Sequence, residues 1–213
     1  MTENNGRHDR SQLQFFGKIV AATTHEINNV LSIVNENTGL LADLLAAGGG
    51  KGVSSEKIDS INESINKHLD RGKEIIKNLN LFAHSVDQEV SGIDLEDVVE
   101  NMMLLSQRYA RQKKASFKPE HPDGKISLQT DAFLLRLAIF TCFSSYLSGC
   151  EPGYEVTVRT GKQDRSAVIA FSGPEIKDEA DKREILSQVM ENLGGSFEFE
   201  ASQGHIKLVI AGS

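Results

Sequence analysis

Between residues 15 and 45 the apolar positions Phe16, Val20, Ile27, Val30, Leu31, Val34, Leu41 and Leu45 recur mostly at steps of three, four and seven. At about 100° per residue they gather into one stripe, the pattern of an amphipathic helix. The spacing predicts a helix over residues 11–46, after a polar, frayed tail over residues 1–10. Gly48, Gly49, Gly50 and Gly52 end it, since glycine accepts the left-handed conformation found past a helix C-terminus and weakens a helix interior. Ile58, Ile61, Ile65, Leu69, Ile76, Leu79 and Phe82 form a second stripe and predict a helix over residues 56–87, capped by Ser54 or Ser55. Two helices joined by a short glycine turn make an antiparallel hairpin, each arm roughly 45–50 Å long. One hairpin of that length cannot cover its own apolar stripe, whereas two can as a four-helix bundle, so the pattern predicts a homodimer.

The pattern changes after residue 88. Residues 86–93 read as a linker, and Asp94 caps a helix that ends near Gln112. Short strands follow at residues 115–118 and 126–128, with Pro119, Pro122, Asp123 and Gly124 as a turn between them. A strongly apolar helix opens at Thr130 and Asp131 and closes at Gly149 and Pro152. Residues 154–160 and 166–171 alternate as paired strands joined through residues 161–164. A helix over residues 179–193 stops at Gly194 and Gly195, before a last hairpin of residues 196–200 and 205–210. The expected class is α+β. A helical hairpin, residues 1–88, precedes an α/β sandwich, residues 94–213.

Charge and composition narrow the functions. The 213 residues carry a formal net charge of −7 and no basic run, which argues against a nucleic-acid partner. No apolar run approaches the ~20 residues that span a bilayer, and the polar first ten residues lack the core of a signal peptide. The expected location is the cytoplasm, with no membrane partner. Cys142 and Cys150 form no metal-binding spacing and read as buried free thiols.

The candidate chemistry lies on the first helix. His25 falls at roughly 160° from Ile27, away from the apolar stripe. Asn29, four residues on, sits almost directly above it, and Glu26 lies at the flank. A histidine, an amide and a carboxylate thus face water together. The run Thr23-Thr24-His25-Glu26-Ile27-Asn28-Asn29, with Phe16-Gly17-Lys18-Ile19 before it and Leu31-Ser32-Ile33 after it, resembles the H-box of bacterial sensor histidine kinases. The resemblance implies that His25 accepts a phosphoryl group on a ring nitrogen. It further implies that Glu26 serves as base or orienting group and that Asn29 positions water for dephosphorylation. His68 and His84 have no such context and read as helix-surface or bundle-edge residues of the second helix.

The second half resembles the ATP-binding domain of the same kinases, with the nucleotide machinery replaced. Asp131 and Leu135 resemble the start of the family's N-box helix, and residues 188–196 resemble the end of its last helix. The two asparagines that the family places toward Mg²⁺ and phosphates correspond to Thr141 and Ser145. The family's Asp-x-Gly-x-Gly box corresponds to Phe171-Ser172-Gly173-Pro174-Glu175. The segment between Ile176 and Ile185 has no glycine and is acidic, unlike a phosphate-cradling lid. The resemblance therefore implies a dimeric histidine phosphotransferase of the kinase-like type, with no cofactor of its own. Its partners would be response-regulator receiver domains, and the Mg²⁺ would sit on the receiver. The competing expectations are a receiver phosphatase working through Glu26 and Asn29, and a non-catalytic dimeric adaptor or kinase regulator.

Overall fold

The computed structural model describes residues 2–47, 54–121, 125–149 and 152–211. The first helix, α1, spans Thr2–Ala47 and the second, α2, spans Ser55–Ala83. The backbone of the expected tail is helical from Thr2, because extending an established helix adds a hydrogen bond for each residue fixed. The hydroxyl of Ser54 accepts from the Lys57 N–H and caps α2. The glycine turn expected at residues 48–52, the turn residues Pro122, Asp123 and Gly124, and Cys150 lie outside the described residues. The helices approach closely at Gly72, where a Cβ would stand 3.2 Å from Val30 Cγ1.

The buried face of α1 is offset from the expected stripe: of the stripe only Val30 is buried, together with Phe15, Ile19 and Ala22 beside it. Leu31 and Leu45, expected with the buried face, are exposed instead. The reason is width: α2 and the α/β part cover one side of the stripe, and a single copy has nothing to place on the other.

A 3-10 turn at His84–Val86 follows α2. The expected linker then contains a strand, β1, at Ser91–Asp94, which pairs antiparallel with β3 at Ser127–Thr130. Asp94 accepts from the Glu96 N–H at 3.1 Å and caps α3, Leu95–Gln112. The second sheet has the order β2-β4-β5-β7-β6. Its strands are β2 Ser116–Glu120, β4 Glu155–Gln163, β5 Ser166–Ser172, β6 Ser196–Glu200 and β7 His205–Ile210. Pro119, expected in a turn, lies inside β2; as an edge strand β2 has only β4 beside it and tolerates the missing N–H. Gly161 and Lys162, expected in the hairpin connection, are paired with Val168 and Ala167, so β4 and β5 are longer than their alternation suggested.

Helices α4, Ala132–Gly149, and α5, Ala180–Asn192, complete the α/β part. One continuous apolar cluster joins it to the base of the hairpin. Phe15, Ile19 and Phe82 pack in that cluster with Val98 and Met102 of α3 and with Phe133 and Phe140 of α4. A polar chain runs beside it: Arg136 donates to Asn101 Oδ1 at 3.3 Å, and Asn101 Nδ2 donates to Asn78 Oδ1 at 2.8 Å. Burial pulls the Arg136 guanidinium down to about 10, still protonated at neutral pH.

Candidate functional site

His25 is exposed on α1, and the reason is local. Ile19, Ala22 and Thr23 fill the buried face one turn before it, where Thr23 donates its hydroxyl to the Ile19 carbonyl at 2.8 Å. His25 and Asn29 stand in the expected i, i+4 relation, with Asn29 Nδ2 3.2 Å from His25 Nδ1. The contact leaves Nε2 as the outward nitrogen, with no hydrogen bond to a described residue.

Glu26 is placed differently from the expectation of a carboxylate out in water. Its side chain is only 16% exposed, and its Oε2 accepts from two guanidinium groups. Arg71 Nη2 of α2 lies at 2.8 Å and Arg111 Nη1 of α3 at 3.0 Å. One carboxylate between two cations cannot serve the neighbouring ring as freely as an unpaired one. Sequence reading missed both arginines. They lie 45 and 85 positions from Glu26, and no spacing rule connects them. The same side of α3 is tied to α1 by Tyr109, whose hydroxyl donates to the Lys18 carbonyl at 2.9 Å. Burial pushes the Tyr109 hydroxyl above its ordinary pKa, so the donor stays protonated.

The other histidines of the hairpin do not join this group. His84 Nδ1 lies 2.8 Å from Asp87 Oδ2, and His68 Nδ1 is buried without a partner. Among the described residues no cluster of three or more His, Cys, Asp or Glu side chains is arranged to hold a metal ion.

Of the positions that the sequence resemblance sets against nucleotide-binding residues, Thr141, Ser145 and Phe171 lie inside the α/β core, whereas Glu175 is exposed. Thr141 and Ser145 are buried, and their hydroxyls donate along α4 to Leu137 O at 2.7 Å and Thr141 O at 3.0 Å. Phe171 is fully buried edge-on to Phe143, with ring centroids 5.6 Å apart. Tyr146 is fully buried too and donates to the Gly204 carbonyl at 2.7 Å. Its ring lies so near Gly173 that a Cβ there would meet Tyr146 Cε1 at 3.0 Å. Ile176, just beyond, is buried and bonds through its N–H to the Ala201 carbonyl. The start of α5 is latched across α4. Lys182 Nζ donates to Ser144 O at 2.8 Å, and Ser148 donates to Glu179 Oε1 at 2.7 Å. The Ser148 hydroxyl, then Lys182, holds the Glu179 carboxyl below its ordinary range. Cys142 of α4 is fully buried, and burial pushes its thiol up, which makes it unreactive.

The catalytic domain of histidine kinase ThkA superposes with a TM-score of 0.52 at 9% identity, over 59% of this chain and 98% of that one. A histidine kinase from Burkholderia phymatum superposes with a TM-score of 0.50 at 12% identity, over 87% of this chain and 98% of that one. The fold is histidine-kinase-like. At these identities the likeness is one of fold alone. No family model and no curated protein matches the sequence. Among the described residues no helix is long and apolar enough to cross a membrane.

Proposed function

We propose that this chain is a histidine phosphotransferase of a two-component phosphorelay, working through His25 and without ATP. The observation that carries the reading is an exposed His25, its Nε2 turned outward, in a kinase-like fold where Thr141, Ser145 and Phe171, which stand in the places of nucleotide-binding residues by resemblance, are buried in the core. A hydroxyl already donating along its own helix and shut inside a core offers nothing to Mg²⁺ or phosphate. The phosphoryl group must then come from another protein, and the aspartyl phosphate of a receiver domain is the donor of matching chemistry. The Nε2 lone pair attacks phosphorus, the P–O bond to the aspartate breaks, the carboxylate leaves, and a P–N bond forms. The receiver supplies the Mg²⁺. The hairpin, residues 1–88, carries the phosphoryl group, and the part over residues 94–213 docks the partner. A panel of phosphorylated receivers tests this reading. Label that moves onto the chain supports transfer, and label released only as inorganic phosphate supports the phosphatase alternative built on Asn29.

A nucleotide-free α/β part has its own expected outcome. Titration with a fluorescent ATP analogue at millimolar Mg²⁺ shows no saturable binding. A saturating isotherm, or autophosphorylation from labelled ATP, would sink the reading.

The active form we propose is a homodimer through the uncovered side of the hairpin. Leu13, Leu31 and Leu45 are 73%, 55% and 59% exposed, with Val20, Ile27, Val34 and Leu41 half-buried between them at heptad-like steps. On α2, Leu69 and Ile76 are exposed and Ile58 and Ile65 half-buried. Burying each such side chain contributes about 1.5–3 kcal/mol, so a second hairpin is strongly favoured on this face. Light scattering should give a dimer for the parent at micromolar concentration. Leu31→Asp should give a folded monomer, because the charge stays in water when the partner is absent. A monomeric parent rules the dimer out.

A further inference from the structure

A neutral imidazole has two ring nitrogens and one proton between them. Only the nitrogen with the free lone pair attacks phosphorus, so the position of the proton decides whether the outward Nε2 of His25 is a nucleophile. Glu26, next in the chain, is occupied by Arg71 and Arg111 and makes no hydrogen bond to the ring. Among the described residues Asn29 is the one side chain within hydrogen-bond distance of the ring, through Nδ2 at 3.2 Å from Nδ1. An amide nitrogen donates and does not accept. In this arrangement Nδ1 is therefore the acceptor, the ring proton sits on Nε2, and the outward nitrogen is inert. Turning the amide over brings Oδ1 to the ring. Nδ1 then carries the proton, and Nε2 gains the lone pair.

We propose that Asn29 is a positioning residue that keeps the His25 proton on Nε2 and so restrains phosphoryl acceptance until its amide turns over. Both side chains are exposed, and Asn29 makes no second hydrogen bond to a described residue, so the restraint is the single Nδ2–Nδ1 contact, and only a group that competes for the amide hydrogens removes it. A partner that offers the amide hydrogens an acceptor of its own, such as the carboxylates around a receiver's phosphorylated aspartate, drives it. The restraint on transfer rests on the phosphotransfer reading, whereas the proton placement is measurable without it.

Asn29→Asp decides the matter. A carboxylate accepts and does not donate at neutral pH, so it draws the ring proton to Nδ1 and frees Nε2. It also takes that proton as the ring gains phosphorus. The probe is phosphoramidate, whose P–N bond breaks as the Nε2–P bond forms, with ammonia as the leaving group. Two measurements are made on the full chain: ¹⁵N NMR of the His25 ring in its neutral form, and the rate of label uptake at His25. The parent and Glu26→Gln should both show the proton on Nε2, and Asn29→Asp should show it on Nδ1. Asn29→Asp should take label roughly tenfold faster than the parent, a small part of what a positioned base can supply. A parent ring protonated on Nδ1, or an Asn29→Asp chain with the parent's spectrum and rate, overturns the proposal. Spectra that differ as stated while neither chain takes label establish the proton placement and refute the phosphotransfer reading.

Discussion

His25→Ala should take up no phosphoryl label from any phosphorylated receiver, while its dimer and melting temperature stay those of the parent. The loss is complete because the imidazole is the nucleophile and alanine has no lone pair to offer. The fold is spared because His25 is exposed, so truncating it opens no cavity; its one hydrogen bond, to Asn29, lies in water. His68→Ala and His84→Ala should keep full uptake. His84 is occupied with Asp87, and neither residue shares the His25 face. Acid-labile, alkali-stable label identifies phosphohistidine in the parent. Label that persists on His25→Ala would move the site elsewhere. Equal receiver dephosphorylation by the parent and His25→Ala, with label on neither, would hand the function to a phosphatase acting through Asn29.

Phe82→Ala should be the most destabilising single truncation at the junction of the hairpin and the α/β part. Phe82 is fully buried. It meets Phe15 edge-on at 5.3 Å, stacks on Phe16 at 5.3 Å and reaches Phe133 of α4 at 6.2 Å. Removing such a ring forfeits its transfer energy and leaves a cavity, about 3–5 kcal/mol in all. For a chain of this size that is a fall of roughly 6–20 °C in melting temperature. Calorimetry on the parent and the variant measures it. A fall of only a degree or two would mean that the hairpin and the α/β part do not share a core in solution.

The two predictions separate what was legible from what was not. His25 was legible because the chain spacing alone sets which residues of a helix share a face, and the H-box residues lie within seven positions. Phe15 was not, although it is one of the most buried residues of α1. Its side lies next to the apolar stripe, and the packing of α4 and of Phe82 from α2 against it made that side interior. Thr141, Ser145 and Phe171 could be named from sequence as replacements. Their burial among Tyr146, Phe143 and the α5 latch could not.

What the sequence by itself determined here is local and periodic. The two long helices, the Ser54 cap of α2, the exposed face with His25 and Asn29, and the alternating strands all follow from residues a few positions apart. Backbone geometry converts such spacings directly into faces. The tertiary structure alone decided the rest. It formed β1 within the apparent linker by pairing it with β3 across 36 positions, Ser91 to Ser127, measured from strand start to strand start. It offset the buried face of α1 from the expected stripe. It also brought Arg71 and Arg111 onto Glu26, which left Asn29 as the hydrogen-bond partner of the His25 ring among the described residues. Contacts between distant segments depend on how whole elements pack, and an arginine long enough to reach a carboxylate from either neighbouring helix leaves no period in the chain to announce it.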